Sequence, residues 1–262
     1  LKQRIVTGVV GGILFLFLVY VGNVWYSLLL LLLALLGLYE FLQMAGIRVF
    51  SLPGILGYAL MLSILWPQLF FLPQRESMFT LVLMPVTILL LLYSVFRKNK
   101  FHVEHAALTI LGALYIGYGF FFMALARHVA ENGFFLTILV FLGIWATDSG
   151  AYFVGKAVGR RKLWPEISPN KTVEGSIGGL VAAVLVVLAA NGVLGAFPVT
   201  HALILALVSG VTGQAGDLIE SALKRHFGVK DSGKILPGHG GVLDRTDSWL
   251  IVFPILHLMG II

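Results

Sequence analysis

The sequence predicts an all-α polytopic membrane protein of about nine transmembrane helices, with a cytoplasmic N-terminus and two long cytoplasmic loops forming its site. Three observations carry this prediction. Of 262 residues, 59% are hydrophobic and only 11% charged, against about 25% charged in an ordinary soluble domain. The mean hydropathy is +0.97, so lipid is the solvent that the side chains are matched to. Apolar runs recur at lengths close to the roughly 20 residues that cross about 30 Å of hydrocarbon.

Taken in order, the runs are 5–21, 24–45, 53–72, 78–96, 106–126, 134–155, 175–195, 200–220 and 248–262. The first follows Lys2 and Arg4, which is also a signal-peptide layout. It is long for the apolar part of such a signal, and no small-residue cleavage site follows, so it reads as the first span. The basic residues then test the set. One side of the membrane collects Lys2 and Arg4; Arg48; Arg97, Lys98 and Lys100; Lys156, Arg160, Arg161, Lys162 and Lys171; and Lys224, Arg225, Lys230, Lys234 and Arg245. The other side collects only Arg75 and Arg127. That asymmetry orients the first group to the cytoplasm. A missed span would have scrambled it.

Cysteine is absent, which excludes disulfides, thiolate nucleophiles and Cys-based metal sites. The formal net charge of +6 suits orientation in a membrane and binding of phosphates. Residues 1–133 read as a scaffold of spans, with lipid access and dimer contacts as roles open to it. Residues 134–262 read as the catalytic region, with cytoplasmic loops at 156–174 and 221–247.

The second of these loops, SALKRHFGVKDSGKILPGHGGVLDRTD, is the chemical centre of the chain. It packs five basic residues, three Asp and a Pro-Gly-His-Gly-Gly turn into one segment. Basic side chains pair with phosphate oxygens, and glycines let backbone N–H groups turn inward around an anion. Asp244 and Asp247 are three apart; if helical they share a face and suit a hard cation. Asp217, Glu220, Ser221 and Lys224 follow the spacing of one helical face. A positive-inside loop explains the Lys and Arg residues with no substrate, but not the acids among them. His239 stands between a structural turn residue and a phosphate or acid role.

A second constellation is WATDSGAYFVGKAVGRRKLWPEISPNKTVEG, from Trp145 to Gly175. Asp148 lies in an otherwise apolar run, where a carboxylate is costly unless paired or metal-bound. Gly150, Gly155 and Gly159 suit close helix packing or close backbone approach. Ser168 to Thr172 reads as a turn that caps the next span and presents Lys171 and Thr172 to a phosphate. Glu40 also falls in a run, near its cytoplasmic end, where snorkelling and function explain it about equally.

The run Ser221, Lys224-Arg225, Lys230-Asp231, Gly233, Leu236-Pro237, His239-Gly240-Gly241, Asp244-Arg245, Asp247 resembles the signature of the phosphatidate cytidylyltransferase (CDP-diacylglycerol synthase) family. Asp148 to Phe153 and Ser168 to Gly175 are similar to that family's second block, with Asn170 where Lys is common. The specific likeness covers about residues 145–248; elsewhere it rests on apolar spans alone.

The resemblance implies transfer of a cytidylyl group from CTP to phosphatidate, releasing pyrophosphate, with Mg²⁺ as cofactor and room left for a second cation. It places the enzyme in the cytoplasmic (inner) membrane, its active site facing the cytoplasm, as a possible homodimer. The implied metal ligands are Asp217, Asp244 and Asp247, with Asp148 next. Lys224, Arg225 and His239 join the catalytic set. Ser168, Lys171, Thr172, Ser221, Lys230, Asp231, Gly238, Gly240, Gly241 and Arg245 join the substrate-binding set. Two other readings stay open at this point: a CTP-dependent lipid kinase similar to dolichol kinase, and a secondary transporter, which would show internal repeats and broken helices.

Overall fold

The computed structural model describes residues 2–69, 76–98, 100–128, 132–235, 238 and 240–262. The chain order is α1 (Lys2–Val21), α2 (Asn23–Met44), α3 (Leu52–Leu69), α4 (Glu76–Phe96), α5 (Val103–His128), α6 (Gly133–Val158), β1 (Lys162–Trp164), β2 (Ser168–Thr172), α7 (Val173–Leu194), α8 (Val199–His226), α9 (Leu243–Thr246) and α10 (Trp249–Leu258). Among the described residues each expected apolar run overlaps a helix, though α10 covers only Trp249–Leu258 of the run 248–262. Among the described residues, α2, α5, α6, α7 and α8 are long and apolar enough to cross a membrane. Shorter apolar helical stretches lie at Gly8–Val21, Leu52–Trp66, Leu81–Phe96 and Trp249–Leu258. Large apolar side chains such as Ile13, Phe17, Trp25, Leu81, Ile177 and Val211 are exposed, as lipid-facing residues must be.

Three expectations are corrected. The connection 156–174 is not all loop: β1 and β2 pair as an antiparallel hairpin, so Ser168 to Thr172 is a strand and not a turn. The chain reverses at 165–167, where Ile167 N–H donates to the Trp164 carbonyl. Helix α8 runs on to His226, so Ser221, Lys224 and Arg225 stand on helix rather than in a loop. Lys224, Arg225 and His226 fill its last turn, where cations complement the helix dipole. Finally, α9 ends at Thr246, so Asp247 lies outside the helical turn that would have put it on one face with Asp244. Its own carboxylate accepts the Ser248 N–H at 2.7 Å, a local bond of the kind that competes with helix.

The chain forms two compact units. One comprises Leu1–Ala124 and Phe227–Arg245, the other Leu125–His226 and Thr246–Ile262. The division therefore falls before the expected 133/134 boundary, and most of the polar segment after α8 folds with the N-terminal helices.

In the first unit that segment docks on one face of α2. Gly37, Glu40 and Phe41 share this face by helical spacing. A Cβ on Gly37 would stand 3.2 Å from a Leu243 methyl, and the Phe41 ring meets Phe227 edge-on at 6.3 Å. Glu40 is 1% exposed, so it does not snorkel. It accepts from Val242 N–H at 3.0 Å and Leu243 N–H at 2.9 Å.

In the second unit α6 and α7 pack backbone to backbone. A Cβ on Gly175 would stand 2.8 Å from the Ala151 carbonyl, and one on Gly179 would stand 2.6 Å from the Thr147 carbonyl. Gly150 is matched in the same way by Ala182 and Gly178. The glycines of the second constellation therefore serve packing. Phe141 anchors the other side of this unit, with Trp145, Trp249 and Phe253 all within 5.6 Å of its ring centre.

Candidate active site

The second unit gathers three of the expected acids. Asp217 lies on α8, Asp148 on α6, and Asp247 between α9 and α10. Helix α8 is positioned by contacts at two adjacent residues. Gln214 donates to the Ser176 carbonyl of α7 at 3.3 Å, and Ser248 Oγ donates to the Gly213 carbonyl at 3.0 Å. A Cβ at Gly216 would stand 2.7 Å from the Asp247 carbonyl oxygen. Only glycine lets the 247–248 backbone lie this close to the helix carrying Asp217.

Asp217 is held from two directions. Lys171 Nζ on β2 pairs with Oδ2 at 2.6 Å, and Ser221 Oγ donates to Oδ1 at 3.2 Å. Both members of the ion pair remain partly exposed, at 26% and 34%, leaving them open to a ligand. Burial pushes the Asp247 carboxyl up to about 7, and the charges of Asp217 and Asp148 push the same way. The Ser248 N–H and the Lys224 charge oppose them without prevailing.

Nearby groups secure the frame. Lys224 pairs with Glu220, four residues back on α8, and Glu220 is buried. Arg225 Nε donates to the Ile167 carbonyl at 3.3 Å, tying the end of α8 to the hairpin. Thr172 is the N-cap of α7, its Oγ1 accepting from Gly175 N–H at 3.1 Å. Its oxygen thereby caps the helix. Glu174 accepts from the backbone N–H groups of Arg160 and Arg161. Ser168 is half-buried on β2.

In the first unit Asp244 folds the polar segment onto itself. Its Oδ2 accepts from Ser232 N–H at 2.9 Å, Ser232 Oγ at 3.0 Å and Gly241 N–H at 2.8 Å. Gly238 and Gly240 take positive φ, 78° and 81°, a region that suits glycine. Lys230, Asp231 and Arg245 are exposed. His239 lies outside the described residues. Ser232 of this unit escapes the sequence analysis because it carries no signal of its own, whereas Glu40 is marked there as a carboxylate in an apolar run without an assigned role.

Among the described residues, no group of three or more His, Asp and Glu side chains is gathered closely enough to hold a metal ion alone. The donor set nevertheless suits a hard cation. Mg²⁺ is commonly held by one or two carboxylates plus substrate phosphates, and a cation would relieve the charges of Asp217 and Asp148 that bear on the buried Asp247.

The fold and the site thus define a helical membrane protein with an acidic centre flanked by Lys171 and Lys224. The chain belongs to the cytidylyltransferase family, whose model matches residues 2–262. It is 46% identical over 269 residues to the phosphatidate cytidylyltransferase of Bacillus subtilis (strain 168), covering 99% of this chain and 97% of the relative. It is 40% identical over 261 residues to the protein of that name from Staphylococcus aureus (strain COL), covering 99% and 98%. The corresponding protein of Staphylococcus haemolyticus (strain JCSC1435) is 38% identical over 260 residues, again covering 99% and 98%.

Proposed function

We propose that the chain is a phosphatidate cytidylyltransferase, joining CTP and phosphatidate into CDP-diacylglycerol and pyrophosphate in phospholipid biosynthesis. The observation that carries this reading is the similarity to the Bacillus subtilis enzyme across 99% of the chain, which takes in every residue of the acidic centre. The nine apolar helical segments are read as nine spans, with the N-terminus and the site on the cytoplasmic side of the inner membrane, where CTP is available.

The chemistry asks little of a general base. A phosphomonoester has its second pKa near 6, so the attacking phosphatidate oxygen is already ionised at neutral pH. That oxygen attacks the α-phosphorus of CTP, and the bond to the β-phosphate bridging oxygen breaks in line as pyrophosphate leaves. The protein's work is positioning and charge neutralisation. Mg²⁺ would be held by Asp217 and Asp247, with Asp148 adding charge, and would supply electrostatic stabilisation of the transferring phosphoryl group. Lys171 and Lys224, beside the acids in their ion pairs, are assigned to phosphate oxygens. The backbone N–H groups of Gly238 and Gly240 are assigned to the triphosphate, with Lys230 and Arg245 as supporting charges.

Purified protein supplied with phosphatidate, CTP and Mg²⁺ tests the reading. Label at the α-phosphate of CTP is expected in the lipid, with pyrophosphate released. Label from the γ-phosphate in the lipid would instead identify a lipid kinase. Solute flux into proteoliposomes without CTP consumption would identify a transporter.

A further inference from the structure

We infer that Glu40 is a positioning residue of the reaction: from α2 it clamps both ends of the segment 232–243 and so presents the glycine turn and Asp244. The inference rests on the function proposed above, because that function gives the segment its ligand.

A carboxylate at this place has no reason to exist on propensity grounds. It is buried in an apolar helix, which costs several kcal/mol unless donors replace water. It also lies close to the carboxyl end of α2, where the helix dipole opposes negative charge. Its compensation comes from the polar segment. Oε1 accepts from Val242 N–H at 3.0 Å. Oε2 accepts from Leu243 N–H at 2.9 Å and Ser232 Oγ at 3.1 Å. Both oxygens are thus occupied by donors from the two ends of one segment, and charge-assisted bonds of this kind are the strong ones.

The surrounding residues are shaped for the contact. A Cβ at Gly233 would meet the Glu40 carboxylate, and one at Gly241 would meet both that carboxylate and Ser232 Oγ. Glycine at these two places is what lets the backbone close on a side chain from another helix. Ser232 then joins the clamp to Asp244, since its hydroxyl lies within hydrogen-bond distance of both carboxylates. Asp244 in turn holds Gly241. The chain Glu40–Ser232–Asp244–Gly241 sets the approach of the glycine turn.

The test is steady-state kinetics on wild type, Glu40→Gln, Glu40→Asp and Ser232→Ala, with trypsin cleavage of the folded proteins as a readout independent of activity. Glu40→Gln turns an N–H₂ toward a backbone N–H and opens one end of the clamp. We expect the KM for CTP to rise about ten-fold or more, as misplaced binding groups produce, while the KM for phosphatidate stays unchanged. Glu40→Asp is expected to recover part of the loss. Cleavage after the exposed Lys230 and Lys234 is expected to quicken. A merely structural role would lower the active fraction, and so the apparent kcat, with both KM values intact; that result overturns the inference, as does unchanged cleavage. Should Glu40→Gln fail to fold, Ser232→Ala carries the same expectations. Wild-type protein that transfers no cytidylyl group overturns the functional reading, and trypsin then decides the clamp by itself.

Discussion

The acids of the two units are treated in opposite ways. In the first unit Glu40 and Asp244 are met by donors: each accepts from two backbone N–H groups, and the single Ser232 hydroxyl proton lies within reach of both. In the second unit burial and the charges of Asp217 and Asp148 press Asp247 upward, while a single backbone N–H from Ser248 binds it. A carboxylate filled with donors fixes the backbone around it, whereas one crowded by like charge is raised in energy and is relieved by a cation. The first arrangement suits architecture, and the second suits the binding centre proposed above.

The sharpest way to break this contrast is to neutralise the crowded acids. Asp217→Asn and Asp247→Asn keep size and shape and remove one charge. Each is expected to lower kcat by about 10²- to 10³-fold, the scale of losing one electrostatic stabiliser at a reacting centre. Asp247→Asn is also expected to leave thermal stability in detergent unchanged or improved, since a repulsive charge is lost. Radiolabelled CTP turnover and a melting curve on the same preparation check both parts. Near-normal turnover in folded Asn variants would return these acids to structural roles.

A smaller effect should appear in the pH dependence of stability. Asp247 has its folded pKa raised from the ordinary 3.8 to about 7. Between those values the folded state binds more protons than the unfolded state, so stability falls as pH rises. The penalty grows from about pH 4, is complete above about pH 7, and is absent below both values. In chelator, the melting temperature is therefore expected to decline from pH 5 to pH 8 by a few degrees. Saturating Mg²⁺ should flatten the decline, because bound cation stabilises the ionised form. Asp247→Asn should flatten it without Mg²⁺. A slope equal in wild type and Asp247→Asn would place the excess charge elsewhere.

Much of this was legible in the order of residues because membrane physics is restrictive. Runs of Leu, Val, Ile and Phe must be helical in lipid, so each apolar run is a helix in the structure. Asp148 announced itself by its cost in such a run, and the polar face of α8 followed from spacing. Other features were not legible because they depend on distant partners. Nothing local marks Ser232 as the link between two carboxylates. Glu40 was visible as an anomaly, but its donors lie some two hundred positions later. The end of α8 was misplaced because hydropathy marks where lipid stops, whereas Ser221 to His226 continue a helix on propensity and dipole grounds. The strand Ser168 to Thr172 contains Pro169 and Asn170, poor strand formers; it exists through pairing with Lys162 to Trp164.

The mildest change probes the contrast inside the second unit. Thr172 is a donor-satisfying group beside the binding centre: it follows Lys171, the partner of Asp217, yet its own hydroxyl is spent on the Gly175 N–H. Thr172→Val keeps the shape and removes the cap. The expected loss is about 1 kcal/mol of stability, read as a melting temperature lower by a few degrees, with kcat and both KM values within about two-fold of wild type. Thr172 was expected from sequence to touch phosphate, so the two roles separate in one experiment. A selective rise in the KM for CTP, with melting unchanged, would move Thr172 from architecture into the site. A melting shift with intact kinetics would leave Lys171 as the residue of strand β2 that faces the ligand.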